Sequence, residues 1–244
     1  MRIFGIVSYK GSRYLGWQKQ KHKNTIQDEI EKVLSKILNS DIHIYGSGRT
    51  DAGVHALGQT FHFDVDKINV DLDRLRYSTN CLLPLDIHII SFEYVDETFH
   101  ARYSIKTKTY SYQIHIGEDD PFLYDTFWII HNSFDLDLFN SALLKFVGTH
   151  DFSNFTSKEN DESNFIRTIF DIKINTDSNI IFITLTGDGF MRYMIRYIIG
   201  TCVEIASYKE KISFIDELLD SNDKRHIISY KAPANGLFLV SVQY

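Results

Sequence analysis

Residues 46–55 read Gly-Ser-Gly-Arg-Thr-Asp-Ala-Gly-Val-His, and this loop holds one arginine and one aspartate two residues apart. Its three glycines permit tight turns and close approach of a ligand to the backbone. A carboxylate such as Asp51, held near cations, stays ionised as a nucleophile must. Arg49 can bind a phosphate or fill the space left by an extruded base. The spacing fits neither the Walker nor the Rossmann pattern, so a turn aspartate and a surface arginine remain the alternative interpretation.

Apolar periodicity predicts the elements around this loop. A helix beginning after Asn24 or Thr25 precedes it, and Pro84 stops a second helix that follows it. The predicted elements are strands at 2–10, 42–45, 60–65 and 87–94 and helices at 26–38 and 72–82. The order strand, helix, strand, strand, helix, strand is typical of a ferredoxin-like α+β half.

A second round of elements follows and resembles the first in order only, without a detectable sequence repeat. The predicted elements are strands at 107–116, 169–174, 180–186 and 237–242, helices at 136–147, 190–206 and 213–219, and a polar loop at 153–167. The sequence therefore predicts an α+β protein divided into residues 1–104, which carry the aspartate loop, and residues 105–244.

The charge distribution is uneven. The 26 basic and 32 acidic residues give a net charge of −6, which by itself argues against a nucleic-acid partner. However, residues 10–23 contain five basic side chains and no acid, among them Arg13, Lys19 and Lys23, and residues 100–115 contain Arg102 with two lysines and no acid. Phosphate binding depends on the local field, so a basic groove remains compatible with this sequence, as do solvated surface lysines.

Several classes of protein are disfavoured. The first residues lack the apolar run of a signal peptide, and no stretch approaches the length of a membrane span. Cys81 and Cys202 lie far apart in sequence, which predicts reduced, mostly buried thiols in a reducing cytosol. The ten histidines are scattered singly, without the spacing of a zinc site.

The run from Gly48 to His55 resembles the signature of the TruA-type tRNA pseudouridine synthases, in which all eight residues occur in this order. Further similarity to that family extends along nearly the whole chain. It lies in residues 9–18, 99–104, 108–112, 148–152, 189–196 and 232–239. Arg192 and Tyr193 depart from the tyrosine or histidine pair that other members often carry.

The resemblance implies two ferredoxin-like halves whose mainly antiparallel sheets join, with helices on one face and a central catalytic cleft. It implies a cytoplasmic isomerase that converts uridine to pseudouridine at positions 38–40 of tRNA, in the anticodon stem-loop. It also implies a homodimer whose two subunits contact the tRNA. The isomerisation changes no oxidation state, so neither a metal nor a redox cofactor is expected.

The resemblance also assigns roles to individual residues. Asp51 corresponds to the nucleophile, which attacks either the ribose or the base, and Arg196 to the arginine that pairs with it. Tyr110 corresponds to the tyrosine that stacks beneath the uracil and takes part in removing the C5 proton. Leu237 corresponds to the apolar residue that packs against the base, and Arg49 to the residue that enters the stem-loop as uridine flips out.

Less specific interpretations exist for these residues. Tyr110 and Leu237 could be ordinary strand residues of a core, and Arg196 a solvated arginine at the margin of an apolar helical stripe. Arg192 is a candidate RNA contact together with Arg13, Lys19 and Arg102. An RNA-binding protein of the same fold without activity is the alternative function. A carboxylate glycosidase would require two carboxylates flanking a bond, and this loop supplies one.

Overall fold

The computed structural model describes residues 1–21, 24–66, 70–131, 133–157, 164–220 and 228–244. Lys23 and residues 158–163 of the predicted polar loop lie outside these ranges. Contacts divide the chain into two compact units, the first comprising Met1–Lys106 with Phe238–Tyr244 and the second comprising Thr107–Leu237. The predicted α+β class is confirmed. No helix in the described ranges has the length and apolarity that crossing a bilayer requires.

The first unit contains a split β-α-β arrangement. Its elements are β1 (Arg2–Tyr9), α1 (Ile26–Leu38), β2 (Tyr45–Gly46), β3 (His55–Asp64), α2 (Leu72–Leu82) and β4 (Ile87–Val95). The spatial order is β4-β1-β3-β2, and each neighbouring pair is antiparallel. This order is the one that the ferredoxin-like motif predicts.

Alternating burial explains why β1 forms a strand. Ile3, Gly5, Val7 and Tyr9 are buried, whereas the residues that alternate with them are partly exposed, so one face of the strand packs into a core. The apolar residues of α1 fall at helical spacing, and all of them except the partly exposed Ile37 are buried. Asn39, in the left-handed conformation, ends the helix.

The predicted strand at 42–45 is wrong, because only the two-residue β2 forms there. The backbone N–H of Ile42 donates to Ser35 Oγ at 2.9 Å, and the N–H of Ile44 donates to Glu31 Oε1 at 3.0 Å. Side chains of α1 thus satisfy the donors that a strand partner would otherwise bind. The segment lies along the helix rather than in the sheet.

The elements of the second unit are β5 (Thr107–Ile116), β6 (Trp128–Ile130), α3 (Leu136–Leu144), β7 (Gly148–Asp151), β8 (Ile166–Asp177), β9 (Ile180–Gly187), α4 (Met194–Ala206) and α5 (Ser213–Leu219). Apart from the short strands β6 and β7 and the additional helix α5, the second unit repeats the order strand, helix, strand, strand, helix. β9 lies antiparallel between β5 and β8, and β7 pairs with the far edge of β8. The short strands β6 and β7 have no counterpart among the predicted elements.

The last strand, β10 (Leu237–Gln243), returns to the first unit. Phe238 and Leu239 pair in parallel with His55 and Ala56 at the start of β3, and the Phe238 ring stacks on the His55 ring at 4.5 Å. The sequence division assigns residues 238–244 to the second half, whereas the contacts place them in the first unit.

Two further expectations differ from the structure. The helix predicted from residue 190 begins at Met194, because Tyr193 has φ of 66° and this left-handed conformation cannot continue an α-helix. Both cysteines are free, but Cys81 is exposed and only Cys202 is buried. Cys81 lies on α2, of which only Leu75 and Thr79 are buried, so most of this helix surface faces solvent.

Candidate active site

The loop that carries Asp51 is fixed to residues 9–18 by backbone hydrogen bonds. The N–H of Trp17 donates to the carbonyl of Thr50 at 3.1 Å, and the N–H of Gly53 donates to the carbonyl of Tyr14 at 3.3 Å. These two bonds lie on either side of Asp51 along the chain. The two segments are about 35 residues apart in sequence, so the loop conformation depends on a long-range contact.

Two glycines allow this contact. Gly16 has φ of 89°, and a Cβ on it would lie 2.6 Å from the carbonyl oxygen of Thr50. A Cβ on Gly11 would lie 1.9 Å from the carbonyl oxygen of Val54. Real Cβ atoms do not approach backbone so closely, hence only glycine permits residues 9–18 to pack directly against the aspartate loop.

Buried polar side chains complete the support of the loop. Gln59 is fully buried; its Oε1 accepts from Ser47 Oγ at 2.6 Å and its Nε2 donates to the carbonyl of Gly48 at 3.0 Å. The hydroxyls of Tyr9 and Thr50 hydrogen-bond at 2.8 Å. Because an unpaired buried polar group is costly, such a satisfied network specifies one conformation.

The two charged residues of the loop, Asp51 and Arg49, differ in their exposure to solvent. Thr50 is buried and Ala52 is exposed, and Asp51 between them is half-buried. Its carbonyl accepts from the N–H of Val54 at 3.1 Å, so Asp51 also begins a turn. Arg49 is exposed, and its Nε donates to Gln18 Oε1 at 3.2 Å. A side chain at position 51 therefore sits on a rigid turn and retains access to solvent.

In the second unit, Tyr110 lies on β5 and is 8% exposed. The strand pairing places it opposite Leu185, and the Phe190 ring meets its ring edge to face at 5.3 Å. Such a contact fixes the plane of the tyrosine ring. The tyrosine is therefore part of a packed strand, and a role in catalysis for it stays a prediction.

Arg196, in the first turn of α4, is held by the segment that precedes β10. Its Nε donates to the carbonyl of Ala232 at 2.7 Å, and the N–H of Ala232 donates to the carbonyl of Arg196 at 2.9 Å. A Cβ on Gly200 would lie 2.2 Å from the carbonyl oxygen of Tyr230, so glycine is required where the helix meets this segment. The predicted apolar stripe of α4 is buried, with Arg196 partly exposed at its margin.

Tyr112, two residues after Tyr110, lies close to the same arginine. Its hydroxyl donates to the carbonyl of Pro233 at 2.8 Å. Burial raises the pKa of the Tyr112 phenol well above its usual value, and the positive charge of Arg196 opposes that rise. The phenol is therefore a neutral hydrogen-bond donor. Leu237, whose N–H donates to the carbonyl of Ala234 at 3.0 Å, is buried at the start of β10.

Two of the predicted RNA contacts are engaged with carboxylates. Lys19 Nζ lies 2.9 Å from Glu31 and 3.3 Å from Asp28, and its hydrogen bond to Glu31 is the largest of the effects that raise its pKa. Arg13 Nε lies 3.5 Å from Asp86. These pairs compensate both positive charges locally, which lowers the field that they offer to a phosphate.

The other two predicted RNA contacts stand beside aromatic rings. The Arg102 guanidinium lies 5.9 Å from the centroid of the Tyr103 ring, and that of Arg192 lies 4.7 Å from the Tyr193 ring. Both arginines are exposed. No carboxylate among the described residues lies within 4 Å of the Arg102 guanidinium. An exposed arginine beside an aromatic ring is typical of surfaces that contact nucleic acid.

The predicted site residues are divided between the units. Asp51, Arg49, Arg13, Lys19 and Arg102 belong to the first, whereas Tyr110, Arg192, Arg196 and Leu237 belong to the second. Within the described ranges, no group of three or more histidine, cysteine or acidic side chains is arranged to hold a metal ion.

Sequence reasoning missed the residues that support the loop, namely Gly11, Gly16 and Gln59. The two glycines lie inside the segment 9–18 that resembles the family, so their spacing was an available signal. Gln59 follows the loop in a strand and carries no distinguishing pattern. Its role depends on burial, which the sequence does not display.

Comparison with known proteins agrees with the motifs. The family described as tRNA pseudouridine synthase matches residues 6–104 and 142–244. A tRNA pseudouridine synthase A from Streptococcus uberis is 38% identical over 100% of this chain and 98% of its own length. A protein of the same name from Staphylococcus saprophyticus is 36% identical over 99% of this chain and 90% of its own length.

The chain therefore belongs to the tRNA pseudouridine synthase family, whose members isomerise uridine to pseudouridine. Among solved structures, a chain of an archaeal box H/ACA sRNP Nop10–Cbf5 complex is similar with a TM-score of 0.39 and 12% identity, over 83% of this chain and 44% of that chain. That similarity is too low to support an inference about the site.

Proposed function

We propose that this chain isomerises uridine to pseudouridine at positions 38–40 of tRNA, in the anticodon stem-loop, with Asp51 as the catalytic carboxylate. The observation that carries the proposal is the fixed turn at Asp51. Hydrogen bonds on both sides and the glycine contacts of residues 9–18 support this turn. A carboxylate held on a rigid backbone meets the positional demand of nucleophilic catalysis.

The reaction rearranges bonds within one nucleotide. Asp51 attacks either the ribose C1′ or the base, and the bond between N1 and C1′ breaks. The uracil turns, C5 bonds to C1′, and the aspartate is released. The proton on C5 leaves and N1 gains one, so the composition of the nucleotide is unchanged. No electron acceptor or donor enters this balance.

The remaining site residues have separate roles in the reaction. Tyr110, whose ring plane is fixed by Phe190, stacks beneath the uracil and takes part in removing the C5 proton. Arg196 pairs with the catalytic carboxylate, which favours its ionised form. Leu237 packs against the base. Arg49, exposed next to the turn, enters the stem-loop as the uridine flips out.

The RNA is bound by Arg13, Lys19, Arg102 and Arg192. Lys19 and Arg13 exchange their carboxylate partners for phosphates, so each of them contributes less to RNA affinity than Arg102. The proposal includes a homodimer in which both subunits contact one tRNA, and a cytoplasmic location, where tRNA substrates are found.

The test is Asp51→Asn, which removes the carboxylate while keeping the size of the side chain. Unmodified tRNA is incubated with wild type and variant, and pseudouridine is mapped by position. We expect product at positions 38–40 with wild type and none with the variant, while both bind tRNA with similar affinity. Asp41→Asn, at an exposed aspartate outside the loop, is the matched control and retains the wild-type rate.

Two outcomes would contradict the proposal. Product formation by Asp51→Asn at the wild-type rate would remove the assigned role of the carboxylate. Wild type that binds tRNA but makes no pseudouridine would favour the alternative, an RNA-binding protein of the same fold without activity.

A further inference from the structure

Three cations converge on one tyrosine ring immediately before α4. Lys231 Nζ lies 4.4 Å from the centroid of the Tyr193 ring, the Arg192 guanidinium carbon lies 4.7 Å from it, and that of Arg196 lies 5.3 Å from it. Arg192 also donates from Nη2 to the Tyr193 hydroxyl at 2.8 Å. One half-buried ring therefore organises positive charge from two separate segments of the second unit.

The residue that carries this ring has an unusual backbone conformation. Tyr193 has φ of 66°, a region that a bulky L-residue rarely adopts. The residue is the N-cap of α4, but its side chain makes no capping hydrogen bond. The unusual backbone conformation and the three cation contacts therefore occur at the same residue, and strain of this kind is concentrated at functional sites.

The surroundings of the Lys231 ammonium group favour a bound anion. Lys231 is exposed, and within the described residues no carboxylate lies within 4 Å of its ammonium group. The first turn of α4 contains no acidic side chain, and the helix end itself carries partial positive charge. From the two ring distances, the charges of Lys231 and Arg192 are separated by no more than about 9 Å. Bringing like charges together is unfavourable, and an anion between them relieves that repulsion.

We propose that Arg192 and Lys231, held by Tyr193, bind one backbone phosphate of the RNA substrate. The guanidinium supplies a fork of N–H donors and the ammonium a mobile point charge, a combination suited to a phosphate. This inference rests on the proposed function, because it takes the anion to be part of a tRNA. It adds Tyr193 and Lys231 to the residues that contact or position the substrate.

The role assigned to Tyr193 is positioning, not base stacking. Its ring already lies within cation–π distance of three positive groups. The ring therefore interacts with these groups in the absence of RNA. A nucleobase would have to displace these groups. The cluster therefore binds the negative charge of the RNA backbone and does not discriminate between RNA sequences.

The test is the salt dependence of tRNA affinity for Lys231→Ala. Removing one phosphate-binding side chain reduces the slope of log affinity against log salt by about 0.7–0.9. We expect Lys231→Ala and Arg192→Gln each to lower that slope by about this amount and to weaken binding severalfold at about 0.1 M salt. Lys231→Arg, which retains the charge, keeps the wild-type slope. Lys173→Ala is the matched control, because Lys173 is exposed and paired with Asp171 at 3.5 Å.

The outcomes separate this inference from the proposed function. Binding is measured without product formation, so a wild type that makes no pseudouridine still permits the test. An unchanged salt slope for both Lys231→Ala and Arg192→Gln, with a wild-type unfolding midpoint, would overturn the inference. A slope lowered equally by Lys173→Ala would also overturn it, because the effect would then belong to net charge and not to this cluster.

Discussion

Replacing Gly16 with alanine tests whether residues 9–18 position the catalytic loop. The new Cβ would lie 2.6 Å from the carbonyl oxygen of Thr50 and 3.1 Å from the carbonyl carbon of Asp51. Reaching an ordinary contact of 3.4 Å requires a movement of about 0.8 Å. The residue must also hold φ of 89°, which costs a non-glycine residue about 1–2 kcal/mol.

The magnitude follows from these terms. Relief of the steric contact adds about 1–3 kcal/mol, and the reduced entropy of the unfolded chain offsets about 0.4–1 kcal/mol of this cost. We expect Gly16→Ala to lower the free energy of unfolding by about 1–4.5 kcal/mol. The movement falls on the backbone at Asp51, and a displacement near 1 Å can cost about 100-fold in rate.

Stability is measured by urea denaturation, and activity by the rate of pseudouridine formation under conditions in which the variant is folded. Gly189→Ala is the control for stability, because a Cβ there would meet only Arg167 Nε at 3.9 Å. We expect it to change the free energy of unfolding by less than about 0.5 kcal/mol. If Gly16→Ala kept both the wild-type urea midpoint and the wild-type rate, the proposed support of the loop by residues 9–18 would be refuted.

Two further predictions concern α4 and acid stability. Gly200→Ala would place a Cβ 2.2 Å from the carbonyl oxygen of Tyr230. Although alanine favours helix, we therefore expect the free energy of unfolding, measured by urea denaturation, to fall by about 1–3 kcal/mol. An unchanged urea midpoint would contradict this packing. Burial, with a smaller contribution from the charge of Arg2, lowers the pKa of His62 to about 4. Because the folded-state pKa lies below the unfolded value of about 6.5, this histidine's contribution to stability is present above pH 6.5 and is lost as the pH falls towards 4. We expect the free energy of unfolding of His62→Gln to fall less than that of wild type between pH 6.5 and 4, by about 2–3 kcal/mol. His43→Gln, at an exposed histidine, is the control. Parallel curves of unfolding free energy against pH for wild type and His62→Gln would show that the histidine does not titrate in this way.

Periodicity predicted several elements with their observed bounds, including α2, β5 and α5. It succeeded where one face of a segment is buried, because burial imposes the period that the sequence displays. It failed at residues 42–45, where side chains of α1 capture the backbone donors. It failed again at residue 193, where a tyrosine adopts a left-handed conformation that its residue type does not announce.

Whether a basic residue has a carboxylate partner also depends on the tertiary structure. Residues 10–23 contain no acid in sequence, yet Lys19 meets Glu31 and Asp28, and Arg13 meets Asp86, from elsewhere in the chain. Conversely, Arg192 and Lys231 are far apart in sequence but approach one ring. A run of like charge along the chain is therefore an incomplete guide to the local field.

The amino-acid sequence alone determined the family, the aspartate loop and the α+β class, because these depend on residue types at fixed local spacing. Only the tertiary structure decided how the loop is supported, which basic residues are compensated, and where the last strand pairs. Each of these depends on partners distant in sequence, such as Gly16 with Thr50 or Phe238 with His55. Contacts of that kind leave no periodic signal, since they arise only when separate elements pack against one another.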